Sequence, residues 1–470
     1  MPRRPRSESV PWVHPRVASG TPGFRPGPRR AGPPSRPEGT PSTWRSPAPG
    51  FSPAGSLLSL LLLGLAVLGI QGCDPDGKPG AGAPGPVAEL PSPAGPGSGQ
   101  PRLEPTASGV LMTWLEPDGS GDHVFYLDRW VEGGWEGRRP VARGPDFFVN
   151  WADLPGVVPV GEDLLAAHWL VRGPEGGYDY GIRVAFSEDD GATWSEPWIP
   201  HEDRSPTEHG FVSAVPLGGR SMGLVWLDGR DFAGDDHGPD GPEMSLRFRT
   251  AGPGTEPGPE RLVDDRVCDC CQTDLAATDR GLLLVYRDRS GEEVRDISRA
   301  LLRDGRWSDP APVHRDGWVF PACPVNGPAV SARGSRAAVA WFTGAGEEGR
   351  VRVAWSEDGG ETFGAPVRVD EGDPAGRVDL TLLDDGSALV TWLERRNGRA
   401  HVRIRQVWAD GRAAPPASVG GATGNRSSGF PRMAPDGSGG VLFAWTDDTG
   451  GEGRVRVARI PIDGAGPTRP

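Results

Sequence analysis

The chain has 470 residues, among them 71 Gly, 52 Pro and 17 Trp, and a formal net charge of −13. The length excludes a peptide or one small domain, and the Trp content excludes a uniformly disordered chain, so Gly and Pro must mark tails or turns. Residues 1–72 carry nine Arg and two Glu. The remainder is strongly acidic, which repels phosphate backbones and argues against nucleic acid as a partner.

Residues 1–55 are rich in Pro, Arg, Ser and Gly without a hydrophobic period. They read as a disordered or untranslated leader. Residues 56–73 contain an apolar run too short for a membrane span and sized like a signal-peptide core. Its end, Ile70-Gln71-Gly72-Cys73, resembles a bacterial lipobox, although Gln71 stands where that family usually has a small residue. The resemblance implies lipid on Cys73 and a membrane-anchored place in the bacterial cell envelope, facing the periplasm or the exterior. Residues 74–100 are again rich in Pro and Gly and read as a tether.

From residue 101 the sequence repeats itself. A short apolar strand ends in an aromatic residue seven times, at Trp114, Trp169, Trp226, Tyr286, Trp341, Trp392 and Trp445, spaced 51 to 60 residues apart. Most copies place one strand before this segment and two after it, which makes four strands, A to D, per copy. Helix periodicity is nearly absent. The pattern predicts an all-β fold, a β-propeller of four-stranded blades over residues 101–465, with seven blades favoured and six the alternative. Copy seven shows only three clear strands, and a segment near residues 87–90 is expected to supply its fourth.

Two turns between strands C and D share a motif. One holds Ser187, Asp189, Gly191 and Trp194; the other holds Ser356, Asp358, Gly360 and Phe363. The pattern Ser-x-Asp-x-Gly-x-Thr-Trp/Phe resembles the Asp-box of the sialidase, or bacterial neuraminidase-repeat, propellers. The motif is a structural device: Asp accepts backbone N–H bonds, Gly takes positive φ, and the aromatic packs between sheets. The resemblance implies a sialidase-like propeller. It also implies three Arg on a substrate carboxylate, a Tyr nucleophile helped by a Glu, and an Asp acid/base. This chain departs from that set. The early Phe/Tyr-Arg-Ile-Pro motif is missing, and no Tyr follows Tyr286, which lies inside a core strand.

Loops B–C and D–A share one face, opposite the Asp-boxes, and this face is the predicted mouth. Arg230, Arg266, Arg287, Arg289 and Arg432 fall there. Arg forks suit carboxylates, so these residues are the candidate ligand clamps, with Asp231 and Glu293 as candidate acid/base groups. The sharpest signal is Cys268-Asp269-Cys270-Cys271 together with Cys323. Cys268 and Cys323 stand at equivalent positions in adjacent copies, so all four sulfurs are expected to meet at the mouth. Three readings stay open: two disulfides, a thiolate site for zinc or copper, or redox thiols.

The favoured function is a membrane-anchored propeller that binds a glycan or protein ligand on its Arg/Cys-rich mouth, with no cofactor certain. The alternatives are a sialidase-type glycoside hydrolase with a non-standard catalytic set and a thiolate metal or redox protein.

Overall fold

The computed structural model describes residues 85–131, 133–231 and 243–462. Seven antiparallel sheets follow one another around an axis. Blade 1 is built from Gly99–Thr106, Gly109–Pro117 and His123–Val131, and its outer position is shared by Gly134–Trp135 and Arg139–Gly144. Blade 2 has Gly156–Pro159, Leu165–Arg172 and Tyr180–Ser187, and isolated bridges from Val184 to Trp198 and from Tyr180 to Glu208 mark its outer edge. Blade 3 has His209–Gly218, Ser221–Asp228, Met244–Ala251 and Arg261–Val267. Blade 4 has Asp274–Thr278, Gly281–Arg287 and Ile297–Arg303, edged by Arg306–Trp307 and Ala311–Pro312. Blades 5 and 6 run Ala329–Arg333, Arg336–Thr343, Arg350–Ser356, Val367–Arg368 and then Asp373–Leu382, Ala388–Arg396, Arg399–Val407, Ala417–Ala422.

Blade 7 closes the ring. Arg432–Pro435, Gly440–Asp447 and Arg454–Pro461 come from the C-terminal end, and Ala88–Leu90 pairs with the last of them, Ala88 opposite Arg459. The fold is therefore the seven-bladed all-β propeller, with the fourth strand of blade 7 drawn from the segment singled out in the sequence. Residues 85–100, placed by composition in the tether, carry this strand and the start of blade 1. Helix among the described residues is limited to two 3₁₀ turns, Ala345–Glu347 and Arg426–Ser428. Residues 1–84, and with them the leader, the apolar run and Cys73, lie outside the described residues.

All seven aromatic segments form strand B of their blades. They are apolar on both faces because each is packed between two neighbouring sheets. Residues 282–286 of blade 4, for example, share clusters with blade 3 on one side and blade 5 on the other. A buried indole needs a partner for its N–H. Three blades supply it two residues further along the same strand: Trp114 donates to Glu116 at 3.1 Å, Trp226 to Asp228 at 2.8 Å and Trp392 to Glu394 at 3.2 Å.

The two Ser-Asp-Gly-Thr turns have matching hydrogen bonds. Asp189 accepts from the Thr193 N–H at 2.8 Å and its hydroxyl at 2.6 Å, and the Gly191 N–H donates to Ser187 Oγ at 2.7 Å. Asp358, Thr362, Gly360 and Ser356 repeat this at 2.9, 2.7 and 2.8 Å. These donors hold both carboxyls at a pKa of about 2. Trp194 and Phe363 then pack against the clusters between blades.

Candidate functional site

The mouth is shaped by the inner strands. In blades 1, 3 and 6 the register slips just after a glycine, and the next residue takes positive φ: Gln100 (58°), Phe211 (51°) and Arg377 (57°). Each bulge bends its strand at the mouth end, where bulges re-aim side chains. Below them, Arg102, Asp153, Phe211, Gln272, Asp274 and Arg432 line an axial cavity of about 30 Å³. That holds one or two waters; ligand pockets for sugars run to hundreds of Å³.

The Cys loop connects the outer strand of blade 3 to the inner strand of blade 4. Cys323 lies in the next such connection, between blades 4 and 5. The four cysteines are unbonded thiols. Cys268 Sγ is 3.1 Å from Cys271 Sγ and 3.8 Å from Cys270 Sγ. The sulfurs of Cys268, Cys270 and Cys271 all lie within 4.8 Å of one another, and so do the ligand atoms of Asp269, Cys270 and Cys323. Cys270 belongs to both sets. Cys268 and Cys271 are buried, Cys270 is half-buried and Cys323 is exposed.

Neighbouring groups hold this loop in place. Gln272 donates to the Ala152 carbonyl at 2.6 Å and accepts from the Gly327 N–H at 3.1 Å. The two Cys-bearing loops approach so closely that a Cβ on Gly327 would sit 2.1 Å from the Gln272 carbonyl oxygen. The Asn326 N–H points at Cys271 Sγ at 3.4 Å, and the Cys323 thiol donates to Asp269 at 3.4 Å. Burial opposes ionisation of Cys268, but its hydrogen bonds with Cys270 and Cys271 and the Arg295 guanidinium hold it well below the ordinary thiol value. Clustered sulfur donors with an N–H bond to sulfur could hold a soft metal ion.

The candidate Arg clamps do not form an open anion site. Arg287 is buried and donates to the carbonyls of Asn326 (2.7 Å), Phe342 (2.7 Å) and Arg295. Arg289 is buried against Glu293 at 2.9 Å. Arg230 forks onto Asp228 at 2.7 and 2.8 Å and reaches Glu260 at 2.5 Å. Arg266 pairs with Glu243 at 2.7 Å. Arg432 lines the cavity 3.8 Å from Asp379. Internal carbonyls and carboxylates thus take the guanidinium groups of Arg230, Arg266, Arg287 and Arg289, whereas Arg432 faces the cavity with its Nε unpaired.

The two acid/base candidates fare differently. Burial would raise the Glu293 carboxyl, but Arg289 and Arg295 grip it and hold it below the usual value, which leaves it ionised rather than ready to donate a proton. Asp231 is exposed at the edge of the described residues.

A set that sequence reasoning missed lies beside the Cys loop. The Tyr180 hydroxyl sits between Asp153 Oδ2 at 3.4 Å and Glu208 Oε2 at 3.5 Å. Its ring stacks on Phe148 at 3.9 Å. Burial pushes Asp153 up to about 7, against the pull of the Phe211 N–H and Tyr180. Burial and the charges of Asp269 and Asp153 push Glu208 up to about 8. In the cavity, burial likewise lifts Asp274 to about 7. Tyr180 opens a strand of blade 2, and Asp153 and Glu208 lie in the connections before and after that blade, so no local motif announces the set.

No family model matches the chain, and no curated protein matches it. Solved structures similar to it include the NanB sialidase from Streptococcus pneumoniae, with 10% identity, TM-score 0.44, and coverage of 76% of this chain and 83% of that one. Another is the GH93 alpha-L-arabinofuranosidase of Fusarium graminearum, with 12% identity, TM-score 0.45, and coverage of 81% and 98%. A third is AofleA from Arthrobotrys oligospora, with 13% identity, TM-score 0.41, and coverage of 73% and 88%. At this level of likeness they assign no chemistry to the chain.

Proposed function

We propose that this chain is an exported, lipid-anchored propeller that carries a thiolate centre for a soft metal ion, Zn(II) or Cu(I), at the mouth of its axial channel. One observation carries the reading: three cysteine sulfurs from one short loop lie within 4.8 Å of one another. A tetrahedral metal with bonds of about 2.3 Å sets its sulfurs about 3.8 Å apart. Cys268 and Cys270 already have that separation, at 3.8 Å. The Cys268–Cys271 pair, at 3.1 Å, would open by under an ångström. The ion would be held by Cys268, Cys270 and Cys271, with Cys323 within reach of the open side.

The test is metal content. The exported chain, purified without chelators, should hold one equivalent of zinc or copper, and Cys270→Ser should lose it. A metal-free chain that has lost four hydrogens to two disulfides would overturn the reading. Labelling with a radioactive fatty acid, lost in Cys73→Ser, tests the anchor.

A second reading, binding of a glycan or protein at the same mouth, is favoured by the Tyr180 hydroxyl between two carboxyls. The small cavity and the internal pairing of Arg230, Arg266, Arg287 and Arg289 favour the metal reading over it. Saturable binding on a glycan array, weakened in Tyr180→Phe, would support the second reading; turnover of the bound glycan would extend it to hydrolysis.

A further inference from the structure

Two sets of ligand atoms overlap at one residue. The inner set is Cys268, Cys270 and Cys271; the outer set is Asp269, Cys270 and Cys323. They differ in chemistry, since the inner set is all sulfur and the outer one mixes a carboxylate with two thiols. They also differ in access. Cys268, Cys271 and Asp269 are buried, and the difference lies in Cys323, which is exposed on the loop of the next blade and tied to Asp269 by a 3.4 Å hydrogen bond. Asp269 itself is held 3.9 Å from the Arg295 guanidinium.

Resting on the proposed metal reading, we propose that the two sets are successive positions on one loading path: an arriving soft cation is first taken by Asp269, Cys270 and Cys323, then passed inward to Cys268, Cys270 and Cys271.

The order follows from ligand strength and exposure. A hydrated cation arriving from solvent meets Cys323 first, the one exposed ligand of the two sets, and the buried Asp269 oxygen behind it replaces a water oxygen. A soft ion then gains by exchanging that oxygen for sulfur. Cys270 keeps its bond throughout, so the ion is never released during the transfer. The inward step breaks the bonds to Asp269 oxygen and Cys323 sulfur and forms bonds to Cys268 and Cys271. Those two thiols give up their protons, Cys323 takes one back, and the other goes to water. The metal keeps its oxidation state. The same path run outward offers the ion to a competing thiol or chelator at Cys323.

The experiment separates position from capacity. The full chain is stripped of metal under reducing conditions and reloaded with aqueous Zn(II), or in a second series with Cu(I) under argon. Rate is followed by stopped flow, and affinity by competition with a chromophoric chelator. Cys323→Ser and Asp269→Asn should each slow loading and chelator-driven release by about tenfold or more, with equilibrium affinity within about threefold of the parent, because neither residue holds the resting ion. Cys268→Ser should lower affinity by about 100-fold or more, as expected for a ligand at the final position. Equal affinity losses in Cys323→Ser and Cys268→Ser would show one four-ligand site and overturn the path. So would unchanged rates in both outer variants. A parent chain that binds no metal at all would instead overturn the proposed function on which the path rests. Cys323 is exposed, so its variant is expected to fold, and a matching circular dichroism spectrum checks this.

Discussion

Cys268 and Cys323 each stand six residues before the inner strand of their blade, which begins at Asp274 in one and Ala329 in the other. The repeat therefore carries two equivalent loop positions to neighbouring places on one rim. Asp269 and Cys270 fill the space between them, with the Cys323 thiol 3.4 Å from Asp269. Three sulfurs of the cluster come from the contiguous run at residues 268–271, and the geometry of adjacent blades adds the fourth.

Close approach of the two loops depends on Gly327. A methyl group there would strike the Gln272 backbone. Gly327→Ala is expected to push the Cys323 loop away from the Cys268 loop and to destabilise the fold by about 1–3 kcal/mol, the usual range for overpacking. Urea unfolding measures the stability, and the rate of metal uptake reports the separation of the loops.

Arg287 is expected to be a stability residue. Its side chain satisfies three carbonyl oxygens from two neighbouring segments and its own hairpin. Each buried carbonyl left without a donor costs about 1–3 kcal/mol. Arg287→Leu should therefore lower unfolding free energy by about 3 kcal/mol or more. A variant that unfolds like the parent would show that these bonds are replaceable by water.

The buried acids give the fold a pH dependence of definite sign. Asp153 and Asp274 titrate at about 7 in the folded chain, against about 3.9 in an unfolded one. Between these values the folded state binds more protons, so stability must fall as pH rises. Each tenfold difference in proton affinity is about 1.4 kcal/mol, so from pH 5 to pH 7 each residue should contribute a loss of roughly 2–3 kcal/mol. Asp153→Asn should remove its share of that slope. Urea midpoints at pH 5, 6, 7 and 8 check this.

The turns that resemble each other in blades 2 and 5 should respond alike. Gly191 and Gly360 have φ of 83° and 89°, and a Cβ on either would come within 2.7 Å of a leucine methyl. Gly191→Ala and Gly360→Ala should each cost about 1–3 kcal/mol of stability, with no effect on metal content.

The fold was legible because its signals are local and repeated. Seven strand B segments end in an aromatic, and each strand sits between two sheets, so its sequence is apolar throughout. Ring closure by Ala88–Leu90 was readable from the missing strand of copy seven. The roles of the arginines were not readable. Arg287 answers carbonyls 39 and 55 residues away, and no spacing rule distinguishes such a donor from a ligand clamp. Tyr180, Asp153 and Glu208 were hidden for the same reason: one opens a strand of blade 2, the others lie in the connections before and after that blade, and they meet only in the folded ring. Glu293 looked like a free acid because its partner Arg295 reads, in sequence, as one more charge on a solvated loop.

The central claim is that sulfur holds a metal at the mouth of this propeller. X-ray absorption at the zinc or copper edge of the metal-loaded full chain tests it most directly. The account predicts a first shell dominated by three sulfurs at about 2.3 Å, reduced in Cys271→Ser. A first shell of oxygen and nitrogen alone, or a shell unchanged in that variant, would contradict it.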